Sequence, residues 1–270
     1  MIPAKTTVRT LGSRSAGLLR RLLKRTPGLQ LDPLHCDVPR LRDAEIACVY
    51  YAQRIAGDLY EFLRVSPSRI IFALLDLAGR RADTRNVLFA AQETLRRRAA
   101  KLFGHEDFNE AEAMIELCHE INFTILRFSG GVRSCPAFLG CYNETLGTLC
   151  YANAGHTPGL LRDDTGITPL EATGLPLGLF SHVTHGAATC ALVPGAALVV
   201  ASRGLIEVEC DGEEFGLAGA MQTLQQTIMH TAPDICLHVL GAARQFTRDA
   251  PTQNDLTALV LLRRPKPSKS

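Results

Sequence analysis

Strand-like and helix-like segments come in blocks along this chain, and that order restricts its architecture more than any other feature. Residues 45–51 are rich in β-branched and aromatic side chains and read as a strand. Residues 59–64 and 69–75 read as a hairpin that turns at Ser66-Pro67-Ser68. Helical periodicity then covers 84–102 and 110–126. Strand patterns return over 137–142, 149–153, 159–162, 188–192 and 197–201, with Pro194-Gly195 as a tight turn. Two more helices, 216–230 and 233–248, precede a closing strand at 257–262. Strands that do not alternate with helices build no βαβ units. The order predicts an α+β fold, two antiparallel β-sheets packed as a sandwich with helices on the outer faces.

A chain of 270 residues, 46% hydrophobic and 21% charged, has the composition of a globular protein with a core of its own. We expect a basic N-terminal arm and linker over 1–39, one domain over 40–264 and a polar tail over 265–270. Residues 1–30 hold seven basic side chains (Lys5, Arg9, Arg14, Arg20, Arg21, Lys24, Arg25) and no acidic one, which leaves the rest of the chain net acidic. That balance, with no Trp, argues against a nucleic-acid-binding body. The arm has leucines at helical spacing (Leu11, Leu18, Leu22) and no apolar signal-peptide core. A basic amphipathic helix can touch an anionic membrane surface weakly; the plainer reading is a loosely packed leader. Nine cysteines, without CxxC pairs or zinc spacing, point to free thiols in a reducing, cytoplasmic setting.

Two carboxylates carry the chemical interest. Asp58 (in Ala56-Gly57-Asp58) and Asp76 (in Leu74-Leu75-Asp76-Leu77-Ala78-Gly79) each stand at the end of an apolar strand beside glycine. Such an Asp is commonly a turn or cap residue. Two of them on neighbouring strands suit a hard cation such as Mg²⁺ or Mn²⁺. His156 and Asn153 read as structural hydrogen-bonding residues of a turn, and the run Arg96-Arg97-Arg98 as a solvated helix face.

Several ordered motifs give the chain a family resemblance. Tyr151-Ala-Asn-Ala-Gly-His-Thr-Pro158 is similar to a "YxNAGHxP" hairpin, Gly174-Leu-Pro-Leu-Gly178 to a "GxPLG" turn, and Leu192-Val-Pro-Gly195 to "LxPGD" with Ala196 for the acid. Phe215-Gly216 and Asn254-Asp-Leu-Thr257 resemble "FG" and "DDxT". Together they resemble the PPM-type protein serine/threonine phosphatases, in the SpoIIE-like bacterial branch that acts on regulators of sigma factors. The resemblance implies a helix-flanked β-sandwich and metal-dependent hydrolysis of phosphoserine or phosphothreonine by two Mn²⁺ or Mg²⁺ ions. It implies that Asp76 bridges the ions, that the Leu77 carbonyl is a ligand, and that Asp58 serves the same ion directly or through water. It also implies a regulatory protein partner, such as an anti-sigma-factor antagonist.

The departures fall on one ion. Ala201-Ser202-Arg203-Gly204 stands where the family has "YTDG", and Asn254 replaces the first Asp of "DDxT". Arg203 and Asn254 therefore take the places of two metal carboxylates. Asp255 survives next door as a possible substitute ligand that would have to reorient. Arginine does not deprotonate, so a divalent ion beside Arg203 meets repulsion. The expectation is at most one weakly held ion, at Asp58, Asp76 and Leu77, with Arg203 pairing with Asp76 in place of the other. Three functional readings follow: a weakened phosphatase that holds one ion or clamps phosphate with Arg203, a pseudophosphatase that binds a partner protein, and a membrane-surface regulator.

Overall fold

The computed structural model describes residues 6–7, 37–51, 57–79, 81–130, 133–228, 230–250, 252 and 254–265. The leucine-bearing part of the basic arm and the end of the tail lie outside the described residues. The fold is α+β, as the block order predicts.

Strands β1 (Thr6–Thr7), β2 (Ala44–Tyr51), β7 (Gly159–Arg162), β8 (Ile167–Leu170), β10 (Ala197–Ala201) and β13 (Leu256–Arg263) form one sheet, in the order β1-β2-β13-β10-β7-β8. Strands β3 (Asp58–Arg64), β4 (Arg69–Asp76), β5 (Ala137–Asn143), β6 (Thr148–Ala154) and β9 (Ala188–Ala191) form the second, in the order β3-β4-β5-β6-β9. Helices α1 (Arg81–Phe103) and α2 (Glu110–Phe128) cover the second sheet. Helices α4 (Gly216–Gln226) and α5 (Ala232–Phe246) cover the first. A one-turn helix α3 (Arg203–Ile206) follows β10, and a short hairpin of β11 (Glu209–Cys210) and β12 (Glu213–Glu214) follows it.

Each central strand is buried on both faces, which explains why β4 reads as an unbroken apolar run although its sheet is antiparallel. Ile70, Phe72 and Leu74 enter the core between the sheets, whereas Ile71, Ala73 and Leu75 pack under α1 and α2. Burying each such side chain is worth about 1.5–3 kcal/mol against exposure. In the pair Phe72–Gly140, the ring of Phe72 covers Gly140 so closely that a Cβ there would lie 2.2 Å from it.

Three sequence expectations are corrected. Strand β8 escaped notice because it is short and holds Pro169; it lies at a sheet edge, where a missing N–H is tolerated. The helix expected over 216–230 stops at Gln226, where Thr227 turns to extended backbone and its hydroxyl donates to the Thr223 carbonyl. The arginines at 96 and 98 are not a solvated face. Arg96 donates to Glu61 on β3 at 2.8 Å, and Arg98 bridges Glu116 and Glu120 of α2.

Candidate active site

The cleft forms where the two sheets end side by side. Asp58 opens β3, Asp76 closes β4, and the register makes them Cα partners on the last rung. The backbone fixes this rung from both sides. The Leu77 N–H donates to the Gly57 carbonyl at 3.0 Å, and the Asp76 N–H donates to the Pro136 carbonyl at 2.8 Å. The opposite wall comes from the other sheet, where the Ser202 N–H after β10 donates to the Thr257 carbonyl at 2.8 Å. Gly204 lies so close to the Asp255 carbonyl that a Cβ would stand 2.3 Å from it, which brings α3 against β13.

Asp58, Asp76, Leu77, Arg203, Asn254 and Asp255 all line one cleft of about 90 Å³. The structure thus brings together every site residue named from the sequence.

Their roles differ. Oδ2 of Asp255 accepts hydrogen bonds from the Tyr50 hydroxyl at 2.9 Å, the Gly57 N–H at 3.1 Å and the Asp58 N–H at 3.3 Å. This buried carboxylate joins the sheets, and turning it toward the cleft would strip three donors of their acceptor. Asp58 Oδ2 accepts from the Thr257 hydroxyl. Burial, then the charges of Asp76 and Asp255, hold the Asp58 carboxyl well above the usual range, against the lowering effect of its hydrogen bonds. Asp76 is also raised by burial, with Arg203 pulling the other way.

Arg203 Nε stands 3.4 Å from Asp76 Oδ2 and 3.8 Å from Glu207 Oε2. The expected pairing with Asp76 is present. Among the described residues Nε has no hydrogen-bond partner of good geometry, so at this atom the contact is a close charge pair. The Arg203 side chain is 43% exposed, so the pair is screened and does not carry the full weight of a buried one.

Asn153 is structural: its Oδ1 accepts from the His156 N–H at 2.8 Å, and its Nδ2 donates to the Leu170 carbonyl at 3.2 Å. His156 is buried beside it, with Nδ1 against Thr157 and Nε2 without a partner among the described residues. Burial first, and then the charge of Arg203, push the His156 pKa down to about 4, although the Thr157 carbonyl opposes the shift. Sequence reasoning missed this proximity because 47 positions separate the two residues and no shared motif joins them.

The family model for Stage II sporulation protein E (SpoIIE) matches residues 66–264, most of the chain. The chain belongs to the SpoIIE family. Among curated relatives of this SpoIIE-family chain is the phosphoserine phosphatase RsbP of Bacillus subtilis, 21% identical over 58% of the chain and 39% of the relative. Among solved structures, the RsbU and RsbW domains of Rv1364c from Mycobacterium tuberculosis superpose with a TM-score of 0.67, at 22% identity, over 85% of this chain and 63% of that one. The PP2C phosphatase domain of SpoIIE from Bacillus subtilis, with a fragment of its regulatory domain, gives the same TM-score at 16% identity, over 83% and 64%. The chain spans less than two thirds of each of these three. The fold is that of a PPM phosphatase.

The SpoIIE-family cleft does not fit a two-ion centre. A guanidinium stands beside the carboxylate expected to bridge the ions, and Asn254 supplies no charge. Among the described residues, no three His, Cys, Asp or Glu side chains form a metal-binding cluster. Likewise, no helix among them is long and apolar enough to cross a membrane.

Proposed function

We propose that this SpoIIE-family domain does not run two-ion phosphoester hydrolysis and serves instead as a recognition module for a protein partner. The observation that carries this reading is Arg203 at 3.4 Å from Asp76. A fixed cation in that place neutralises the carboxylate that would bridge two ions, and in-line hydrolysis needs both ions to polarise the phosphoryl group and to generate hydroxide. The residues left for a metal, Asp58, Asp76 and the Leu77 carbonyl, would hold at most one Mn²⁺ or Mg²⁺, weakly, because Arg203 competes for the same carboxylate. The partner on this reading is a cytoplasmic phosphoprotein or regulatory protein, such as an anti-sigma-factor antagonist, with no nucleic acid involved. The basic arm adds at most weak contact with a membrane surface.

Asp58 and Asp76 still oppose each other, which supports a second reading: slow hydrolysis at a single ion. Calorimetric titration with Mn²⁺ and hydrolysis of a phosphoserine peptide separate the two. We expect one weak binding event at most and no turnover. Two tight ions, or steady turnover by the unaltered protein, would return the domain to the hydrolases.

A further inference from the structure

The segment 171–187 between β8 and β9 meets α2 at two histidines that the cleft does not use. His185, 4% exposed, has its Nε2 at 3.0 Å from the Leu175 carbonyl. A carbonyl only accepts, so Nε2 carries the proton and Nδ1 is a bare lone pair. Among the described residues, neither that Nδ1 nor Nε2 of His119 on α2 has a hydrogen-bond partner, and both atoms are sealed from solvent. The two rings meet edge to face with centroids 5.9 Å apart.

Other charged groups on the surrounding elements are engaged or act elsewhere. Glu116 and Glu120 of α2 are bridged by Arg98 of α1 at 2.6 and 2.8 Å, and the segment itself carries Glu171 and His182. Burial lowers the pKa of His185, its bond to Leu175 opposes this, and His119 lowers it further.

The segment also reaches the cleft through the backbone. Asn122 of α2 donates to the Phe180 carbonyl at 2.9 Å and accepts from the Gly178 N–H at 2.7 Å. Leu177 and Cys135 exchange both backbone hydrogen bonds, and the Arg133 N–H donates to the Gly178 carbonyl at 3.1 Å. Ser134 and Pro136 in turn accept from Ala78 and Asp76, the cleft floor. A ladder thus runs from the segment through 133–136 to 76–78.

We infer that His185, packed edge to face on His119, is an acid-sensitive latch, which holds the 171–187 segment on α2 when its ring is neutral and loosens it, and the cleft floor with it, when the ring takes up a proton. A charge on the His185 ring would stand sealed against the His119 ring, with no counter-ion beside it among the described residues. The sign follows from the lowered pKa of His185. The folded state favours neutral His185, so the latch is closed above the unfolded histidine value of about 6.5 and weakens as pH falls below it.

Hydrogen exchange read by mass spectrometry on the full chain tests this, at about pH 7.5 and about pH 5.5, after correction for the intrinsic pH dependence of exchange. In the unaltered protein we expect amides of 174–187 and of 133–136 to exchange severalfold faster at the lower pH. His185→Gln can keep a donor to Leu175 but takes no proton, so it should stay protected at both pH values. Unchanged protection in the unaltered protein, or equal loosening in His185→Gln, would overturn the latch. Loosening confined to 174–187 would overturn its link to the cleft. If His185→Gln does not fold, His119→Gln, which leaves His185 in place, should still loosen at the lower pH; protection at both pH values would overturn the assignment to His185.

Discussion

Asp58 and Asp76 face each other across the last rung of the β3–β4 hairpin, and the guanidinium of Arg203, which reaches over from the opposite sheet, is the positive group beside them. The charges in this cleft lead to distinct expectations.

Removal of Arg203 tests the charge pair. With 43% of that side chain exposed, Arg203→Ala should lower stability by about 1 kcal/mol or less in metal-free buffer, not by the 3–5 kcal/mol of a fully buried pair. Urea unfolding with and without Mn²⁺ reads this, and Mn²⁺ should recover part of the loss through the vacated space. A loss above about 3 kcal/mol would mean that the pair is effectively buried.

Restoring both carboxylates should matter more than restoring either. Arg203→Asp with Asn254→Asp supplies two oxygen ligands in place of a cation and an amide. Such a site needs its ligands together, so the double variant should bind Mn²⁺ more tightly than the sum of the single changes implies. Calorimetry of the four proteins checks it. Strictly additive effects would place the two side chains on different sites.

Asp58 should be a stability liability when no ion is present. Its carboxyl is raised by burial and by two neighbouring acids, so the fold disfavours its charged form. Asp58→Asn keeps an acceptor for the Thr257 hydroxyl and removes the charge. It should raise Tm by a few degrees, on the order of 1 kcal/mol, in chelator. An unchanged or lowered Tm would show that the charge is compensated.

The protonation of His156 should appear in the pH dependence of unfolding. Its folded pKa of about 4 lies below the unfolded value of about 6.5, so the fold binds fewer protons between these limits. Stability tied to this group is fully present above about pH 6.5 and declines as pH falls toward 4, by about 3 kcal/mol in total. Asp58, whose carboxyl is raised, pulls in the opposite direction, so the comparison with His156→Gln isolates the contribution of His156: the variant should decline less steeply. Parallel curves would assign the slope to other groups.

Much of the sandwich was legible in the sequence because its strongest signals are local. The apolar run of β4 and the Ser66-Pro67-Ser68 turn follow from side-chain alternation and turn chemistry alone. Long-range pairing hid the rest. Arg96 looks solvated until β3 brings Glu61 under α1, and Asp255 looks like a spare ligand until Tyr50 and Gly57 meet it from both sheets. The short helix α3 has no side-chain cap and too few residues to show a period. The exchanged residues at 203 and 254 stand out as departures from a pattern, and the resemblance already places both at one ion, where the cleft holds them.

The three-donor grip on Asp255 also divides the labour of the cleft. Its outline is set by a carboxylate that ties Tyr50 of one sheet to the first rung of the other, whereas its polarity is set by 203 and 254, which bear little of that load. The pocket is therefore a mould whose charge can be rewritten without recasting its walls. An engineer could change the groups at these two positions, from acid to amide to base, and read the resulting preference for cations or anions on an unaltered scaffold.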